Sequence, residues 1–284
     1  MCGAAGENGA VRFGIEVVTL GQLADPGLVM ALGQAAEEAG WDGVFVWDHL
    51  AYAWGVPSAD PWVVLSAIAA VTTRVRLGTW VTPVPRRRPH VLAQTITSLD
   101  ILSHGRTVFG VGLGGVEQEF SAFGEEPDAR LRGARLDEGL GVLDRLWRGE
   151  RINHRGPHYT VQGVELTPLP VQRPRVPIWV GGESPSALRR AARWDGWAAV
   201  GAARDGTMRT SPDDIAGAVA VIQAYRVNRE LFEVALDGYS QHHDGSVVRA
   251  YRDAGVTWWL EILHGERGSS QELLGRVREG PPGG

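Results

Sequence analysis

Short apolar runs alternate with longer stretches of helical periodicity along most of the chain. The runs are rich in β-branched residues, are bounded by Gly, Pro or Asp, and are apolar on both faces, which is typical of strands buried in a parallel sheet. Eight strands are predicted on this basis: Val11–Val18, Gly43–Trp47, Val75–Val81, Thr107–Gly112, Pro177–Gly181, Gly196–Val200, Phe232–Leu236 and Thr257–Leu263.

Between these runs, apolar residues recur at helical spacing. In the first such stretch Leu28, Leu32 and Ala36 fall on one stripe, whereas Glu37 falls off it, as expected for a helix that buries one face. The remaining predicted helices are Trp62–Val71, His90–Ser103, Leu131–Trp147, Ala187–Trp194, Asp213–Val227, Val247–Ala254 and Gln271–Glu279.

Four predicted helices begin with a similar pair of residues. The pairs are Asp25-Pro26, Asp60-Pro61, Ser184-Pro185 and Ser211-Pro212. An Asp or Ser side chain accepts an otherwise unpaired N–H group at a helix start, and proline in the first turn lacks a donor that would have no partner there. The repetition supports all four helix starts.

Eight strands, each followed by a helix, predict an α/β fold of the (β/α)8 barrel type. An open doubly wound sheet is the alternative, but the first βα turn, residues 19–24, lacks the glycine fingerprint usual there. We expect a flexible tail over residues 1–10 and one barrel domain over 11–284. A long excursion at 148–176, with a hairpin near Ile152–Val164, is expected over the barrel mouth, in the substrate-pocket wall, or at an oligomer contact.

Composition removes several classes of function. The net charge of −5 with interspersed signs argues against nucleic acid or a membrane surface as a partner. Cys2 is the single cysteine, so no disulfide forms within the chain. No signal peptide or membrane span is predicted, and the expected location is the cytoplasm. No metal is expected, because the histidines of His242-His243-Asp244 are adjacent and point apart.

Candidate chemistry is concentrated where predicted strands end, since barrel active sites lie at that edge. Asp48-His49 follows the second strand, and a histidine there can transfer a proton near neutral pH. We predict His49 as the catalytic group and Asp48 as the residue that orients it. The substrate pocket is expected to be lined by Trp47, Tyr52, Trp54 and Glu117. The aromatic side chains, with Trp80, would form its apolar wall.

Two glycine-rich segments predict close contact with a ligand. Gly181-Gly182-Glu183-Ser184 precedes a helix and has the composition of a phosphate cradle, although an ordinary helix cap would read the same way. Gly112 and Gly114 end the fourth strand, where backbone is expected to lie flush against a planar ring. Glu119 lies near the mouth with a low expectation of function, and Arg86-Arg87-Arg88 is interpreted as a solvated loop.

Five sequence blocks resemble the luciferase-like oxidoreductases that use a flavin or a deazaflavin. The blocks are Asp48-His49, Arg74–Pro83, Leu99–Gly112, Pro177–Gly182 and Arg189–Trp197, and the resemblance spans roughly residues 11 to 280. It implies a soluble β/α barrel, often a homodimer, with FMN or the deazaflavin coenzyme F420 at the strand ends.

The resemblance also implies specific cofactor contacts. A non-proline cis peptide bond is expected near Trp80-Val81, where it would lie behind the cofactor ring and beside Thr82. The cofactor phosphate would lie on Gly182, Glu183 and Ser184. His49 matches the histidine that deazaflavin-dependent members place beside the reactive ring carbon, which slightly favours F420.

One position departs from the pattern of the relatives that oxidise glucose 6-phosphate. Gly115 stands where they carry a glutamate acid, which argues against the same reaction. Light emission is not expected either. Hydride transfer with F420 and monooxygenation with reduced FMN, supplied by a partner reductase, both remain open for a small organic substrate. A barrel that binds flavin without turnover is the alternative of another class.

Overall fold

The computed structural model describes residues 10–203, 205–228, 230–240 and 245–283. Strands and helices alternate as the hydrophobic pattern predicts. The strands are β1 (Arg12–Val17), β2 (Gly43–Val46), β3 (Arg76–Thr79), β4 (Thr82–Pro83), β5 (Thr107–Gly112), β6 (Ile152–Arg155), β7 (Thr160–Val164), β8 (Ile178–Gly181), β9 (Gly196–Ala199), β10 (Glu233–Gly238) and β11 (Trp258–Leu263). The helices are α1 (Pro26–Glu38), α2 (Pro61–Val71), α3 (Pro89–Leu102), α4 (Gln118–Ser121), α5 (Ala129–Trp147), α6 (Pro185–Ala191), α7 (Pro212–Tyr225), α8 (Ser246–Asp253) and α9 (Ser270–Arg278).

The main sheet closes on itself. Its parallel strands run in the order β3-β2-β1-β11-β10-β9-β8-β5, and β3 also pairs with β5 through Leu77–Thr107 and Gly78–Val108. Every predicted strand is present, and the predicted (β/α)8 barrel is confirmed. The short strand β4 pairs in parallel with the last residues of β5. Neither β4 nor α4 was predicted.

All four predicted helix starts are confirmed. Asp25 and Asp60 accept hydrogen bonds from backbone N–H groups in the first turns of α1 and α2. Ser184 and Ser211 do the same for α6 and α7. These caps fix where each helix leaves the barrel wall, because each satisfies donors that the helix itself leaves unpaired.

The core has two layers. Apolar side chains between the strands and the helices form the larger one, with Trp41, Trp147 and Trp259 fully buried. A second cluster fills the lumen of the barrel, with the side chains Phe45, Trp80, Val108, Trp179, Ala198, Ala235, Trp258 and Leu260. The lumen is therefore a packed core rather than a channel.

The excursion between α5 and β8 does not lie as expected. Its hairpin, β6 with β7, packs on the side of the barrel, where Glu138 of α5 accepts from His154 Nε2 (2.8 Å) and from the backbone N–H of Tyr159 (2.9 Å). Its last residues pass below the barrel, where Gln172 donates to Thr107 at the start of β5. The expectation that this segment covers the mouth or walls the substrate pocket is wrong, because its polar groups find their partners on α5 and at the base.

Candidate active site

The parallel strands end at one edge of the barrel, which we call the mouth. His49 follows β2, Val81 follows β3, Gly112 ends β5 and Gly181 ends β8. Neighbouring strands in register bring these ends together, since β2 pairs with β3, and β5 pairs with β8. The predicted clustering of these sites at the mouth is therefore confirmed.

His49 is held by a carboxylate that comes from a distant part of the chain. Its Nδ1 lies 2.6 Å from Oε1 of Glu119, a residue of the short helix α4 whose side chain is 2% exposed. Trp54 Nε1 donates to the same oxygen at 3.2 Å, and Arg86 donates to the other oxygen. Glu119 thus joins three side chains of the mouth, a role for which the sequence provided only a weak indication.

Glu119 remains ionised in this setting. Burial by itself raises the pKa of Glu119, but the hydrogen bond from His49 and the charges of His49 and Arg86 outweigh it and hold the pKa below its ordinary value. An ionised Glu119 requires the proton of a neutral imidazole to be on Nδ1. Nε2 of His49 is then the ring nitrogen left for a ligand, and the histidine side chain is 21% exposed.

Asp48 does not orient His49, contrary to the sequence interpretation. Its carboxylate is 1% exposed and binds Arg86 Nη2 at 2.7 Å and Arg87 Nη2 at 2.8 Å. It therefore ties the loop after β4 to the end of β2. The interpretation of the arginine run as a solvated loop is wrong for Arg86, whose side chain is 4% exposed between Asp48 and Glu119. The sequence did not reveal Arg86 and Arg87 as the partners of Asp48, because only the fold of the loop after β4 brings these side chains to the end of β2.

Val81 forms the floor of the mouth between two predicted glycines. The Trp80–Val81 peptide bond is cis, as expected. A Cβ atom at Gly112 would lie 2.6 Å from Cγ2 of Val81, and one at Gly181 would lie 3.2 Å from Cγ1. The Cβ spaces of these glycines are thus taken up by Val81 rather than by a ring, which corrects the interpretation of Gly112.

Other predicted cofactor residues surround this floor in different ways. Trp80 points into the lumen cluster and is 7% exposed. Thr82 is buried, and its Oγ1 has no hydrogen-bond partner among the described residues. Gly114 adopts a positive φ of 86°, and a Cβ there would lie 2.8 Å from the Phe120 ring. Gly114 is therefore required by the turn that leads to α4.

The segment Gly182–Ser184 is both a helix cap and a candidate cradle. Gly182 has a φ of 110°, which only glycine adopts readily. Ser184 Oγ accepts from Ala187 N at 3.2 Å and lies 3.0 Å from Ser186 Oγ. Glu183 forms an ion pair with Arg209, from the loop after β9, and this arginine was not identified from the sequence.

The predicted pocket residues separate into inner and outer positions. Trp47 lies against His49 with ring centroids 5.0 Å apart, and Trp54 lies 6.2 Å from the same ring. Tyr52 is 59% exposed and contacts Phe123 on the outer rim. Glu117 is exposed, whereas Glu119, two residues later, is the buried carboxylate of the site.

Two further carboxyl groups were missed. Glu16 of β1 is fully buried and accepts from Trp47 Nε1 at 2.5 Å, while its Oε2 has no partner among the described residues. Asp237 of β10 is also buried and accepts from the backbone N–H of Gly201 at 2.5 Å. An acidic residue inside an otherwise apolar strand was the available signal for both.

The two carboxyl groups influence each other. Burial and the negative charge of Asp237 raise the pKa of Glu16 well above its ordinary value, against the hydrogen bond from Trp47. Burial raises the pKa of Asp237 to about 7, although the backbone N–H groups of Gly201 and Ala202 oppose it. A carboxyl group with such a pKa exchanges protons near neutral pH.

Other kinds of site find no support in the described residues. They contain no group of three or more His, Cys, Asp or Glu side chains suited to a metal ion. The His242–Asp244 segment lies outside the described residues. No helix in the part of the chain that the structure describes combines the length and apolarity needed to cross a membrane.

Comparison with known proteins assigns the family. The family model described as luciferase-like monooxygenase matches residues 12–228. The chain belongs to this luciferase-like monooxygenase family. An uncharacterized protein of Mycobacterium bovis is 31% identical over 250 residues, which cover 80% of this chain and 81% of that protein. The family resemblance inferred from the motifs is thereby confirmed.

Some curated relatives of this luciferase-like chain are named for an activity. An F420-dependent glucose-6-phosphate dehydrogenase of Microbacterium testaceum is 38% identical over 189 residues, which cover 64% of this chain and 54% of that enzyme. The chain thus spans about half the length of this relative.

Solved structures show the same fold. An F420-dependent secondary alcohol dehydrogenase, in complex with an F420-acetone adduct, has a TM-score of 0.78 and 18% identity over 96% of this chain and 98% of that chain. A monooxygenase from Streptomyces bottropensis has a TM-score of 0.68 and 25% identity over 94% of this chain and 78% of that chain. The luciferase-like barrel is therefore shared with both kinds of enzyme.

Proposed function

We propose that this protein is an oxidoreductase that binds F420 at the mouth and transfers hydride between it and a small organic substrate. The observation that carries the proposal is the position of His49 after β2 at the mouth, where Glu119 fixes it through Nδ1 (2.6 Å). The F420 dependence of one relative and of one structural neighbour supports the choice of coenzyme.

The residues at the mouth fit a planar cofactor with a phosphate tail. Val81 is partly exposed and offers an apolar surface for a ring, and Thr82 Oγ1 is a buried polar atom without a partner among the described residues. Gly182 and Ser184 would lie at the phosphate. Glu183 alone would repel it, but Arg209 neutralises this carboxylate.

His49 is proposed as the group that exchanges the substrate proton. F420, when bound, supplies the acceptor or donor of the hydride. In the oxidation of an alcohol, the hydroxyl proton passes to Nε2 of His49 as the hydride leaves the carbon. Glu119 stabilises the imidazolium that results, because its carboxylate is ionised and hydrogen-bonded to Nδ1.

We propose that Asp237 and Glu16, which lie beneath the mouth, are further groups that can hold a proton. Trp47 connects them to the site, since its indole N–H donates to Glu16 and its ring lies beside His49. Gly115 carries no side chain at the position where the glucose 6-phosphate-oxidising relatives carry a glutamate, and apart from its chain neighbours no atom lies within 4 Å of the place of its Cβ. We infer a substrate other than glucose 6-phosphate.

Reduced FMN is the second candidate cofactor, and monooxygenation the second reaction. The 25% identical monooxygenase structure favours it, and a separate reductase would then be the partner. Trp47 and Trp54 would serve this chemistry as well, because both reactions need a site from which water is excluded.

Assembly as a homodimer in the cytoplasm is proposed as well. Helices α2 and α3 pack together and expose Val63 (59%) and Val91 (50%), which a second copy would cover. Light scattering after size-exclusion chromatography measures the mass directly. A monomer at micromolar concentration would remove this part of the proposal.

The first experiment is a titration of the purified protein with F420, FMN and reduced FMN, followed by quenching of tryptophan fluorescence. Preferential binding of F420 is the expected result, and preference for reduced FMN would replace hydride transfer by monooxygenation.

His49→Ala is expected to keep its F420 affinity and to lose turnover of an accepted alcohol by about 100-fold. Binding of F420 without substrate-dependent turnover of any tested alcohol or carbonyl compound would favour a non-catalytic barrel.

A further inference from the structure

A separate pocket opens at the base of the barrel, where the strands begin. Its volume is about 1000 Å³, and it is lined by Arg12, Arg76, Arg173, Trp179 and Trp258, among others. We call it the basal pocket. It shares no lining residue with the mouth, which lies at the opposite ends of the same strands.

Cations exceed anions on the inner surface of this pocket. Arg12 and Arg76 precede Gly14 and Gly78 by two residues, and strand alternation directs all four to the lumen, where Cβ atoms at both glycines would meet Phe45. Glu233 faces the same space and forms an ion pair with Arg12. Arg76 therefore stands beside an ion pair that is already complete.

Arg76 has no carboxylate within ion-pair distance in the described part of the chain. Its Nη2 reaches only Gln172 Oε1 at 3.3 Å and the carbonyl oxygen of Thr107 at 3.5 Å. Its Nε is buried without any acceptor among the described residues. Burial and the charge of Arg12 lower the pKa of Arg76, and the negative charges of Glu233 and Asp100, neither within ion-pair distance of it, only partly oppose this shift.

The other charged groups around the pocket do not supply this counter-ion. Asp195 is engaged by Arg175, and Asp42 accepts from the backbone N–H of Phe13 at 2.8 Å. Glu230 accepts from Asn228 Nδ2 at 3.0 Å. Arg173 donates to the backbone carbonyl groups of Pro170 and Gln172 and, within the described residues, forms no ion pair.

The upper wall of the basal pocket is aromatic. Trp179 and Trp258 pack edge to face with centroids 5.6 Å apart, and both line the pocket. The indole N–H of Trp258 is buried and has no acceptor among the described residues. The pocket thus combines apolar rings with guanidinium and indole donors that lack acceptors.

We propose that the basal pocket is a second binding site that takes a small organic carboxylate, with its charged end on Arg76 and Arg173 and its apolar part against Trp258 and Trp179. A carboxylate matches the planar fork of a guanidinium, and it supplies the acceptors that these donors lack. The proposal is independent of the cofactor and reaction at the mouth.

Isothermal titration calorimetry with benzoate tests the proposal, with benzyl alcohol as the uncharged analogue and inorganic phosphate as the oxyanion without an apolar part. Saturable 1:1 binding of benzoate is expected, with benzyl alcohol and phosphate at least about tenfold weaker. Phosphate binding as tightly as benzoate would overturn the assignment to an organic carboxylate.

Variants locate the binding. Arg76→Gln and Arg173→Gln are each expected to weaken benzoate by about tenfold or more, because each removes a charged donor. Arg173 is exposed, so its replacement keeps the test valid even if Arg76→Gln does not fold. Arg278→Gln is the matched control, since Arg278 is exposed and lies outside the pocket lining. Benzoate affinity that is unchanged in the two pocket variants, or equally reduced in the control, would overturn the site.

Discussion

Glu119 is the residue on which the geometry of the mouth depends. It is 1% exposed, accepts hydrogen bonds from His49, Trp54 and Arg86, and remains ionised because these donors outweigh the effect of burial on its pKa. The carboxylate therefore determines both the orientation of the imidazole and the nitrogen that faces a ligand.

Replacing Glu119 by Gln is expected to lower kcat by about 10- to 100-fold, because the imidazolium loses its buried partner. The KM for the substrate and the cofactor affinity should stay close to those of the wild type, so that the loss is confined to kcat. Glu117→Gln is the control, since Glu117 is exposed and two residues away. An unchanged kcat in Glu119→Gln would contradict the assigned role.

At the scale of elements, the floor of the mouth is made by the residue after β3 and by glycines that end two other strands. Val81 fills the Cβ space of Gly112 and Gly181, so β3, β5 and β8 interlock at this point. A change in any of the three strands is therefore transmitted to the surface on which a cofactor ring would rest.

Gly112→Ala is expected to displace Val81, because the new Cβ would lie 2.6 Å from Val81 Cγ2. Overpacking of this kind destabilises by about 1–3 kcal/mol and should weaken cofactor binding in the same fluorescence titration. Gly115→Ala is the control, since no atom lies within 4 Å of its built Cβ. The double change Gly112→Ala with Val81→Ala should restore part of the lost stability. No recovery there would show that Val81 is not the obstacle.

At the scale of the whole molecule, the barrel places a packed aromatic lumen between two polar ends. The mouth holds His49, Glu119 and the carboxyl groups of Glu16 and Asp237, whereas the base holds Arg76 without a carboxylate partner in the described part of the chain. Buried acidic groups on one side make the stability of the whole fold depend on pH.

The contribution of Asp237 to this dependence has a definite sign. Burial raises the pKa of Asp237 from its ordinary value of 3.8 to about 7. The stability that its proton supplies is complete below the ordinary pKa and is lost as the pH rises through the folded value. Asp237→Asn should therefore gain stability relative to the wild type as the pH rises from about 4 to about 7, measured by urea unfolding. Asp253→Asn, on an exposed carboxylate, is the matched control variant. A constant difference for Asp237→Asn would contradict the raised pKa.

The sequence by itself determined the eight strands, the capped helices, the closed barrel and the strand ends at which the site lies. These features depend on local periodicity, on capping residues and on strand count, which a linear sequence records. His49 and the Gly182 loop were found in this way, because each lies close to the end of a strand, whereas Val81 was expected from the resemblance to the family.

Only the tertiary structure decided which side chains are partners. Asp48 is adjacent to His49 in sequence, yet it binds Arg86 and Arg87, and His49 instead binds Glu119. The local pattern did not predict that the excursion packs on α5. It also did not predict that Nε of Arg76 is buried without an acceptor among the described residues. Hydrogen bonds and ion pairs depend on distances of a few ångströms between segments far apart in the chain, and periodicity contains no such distances.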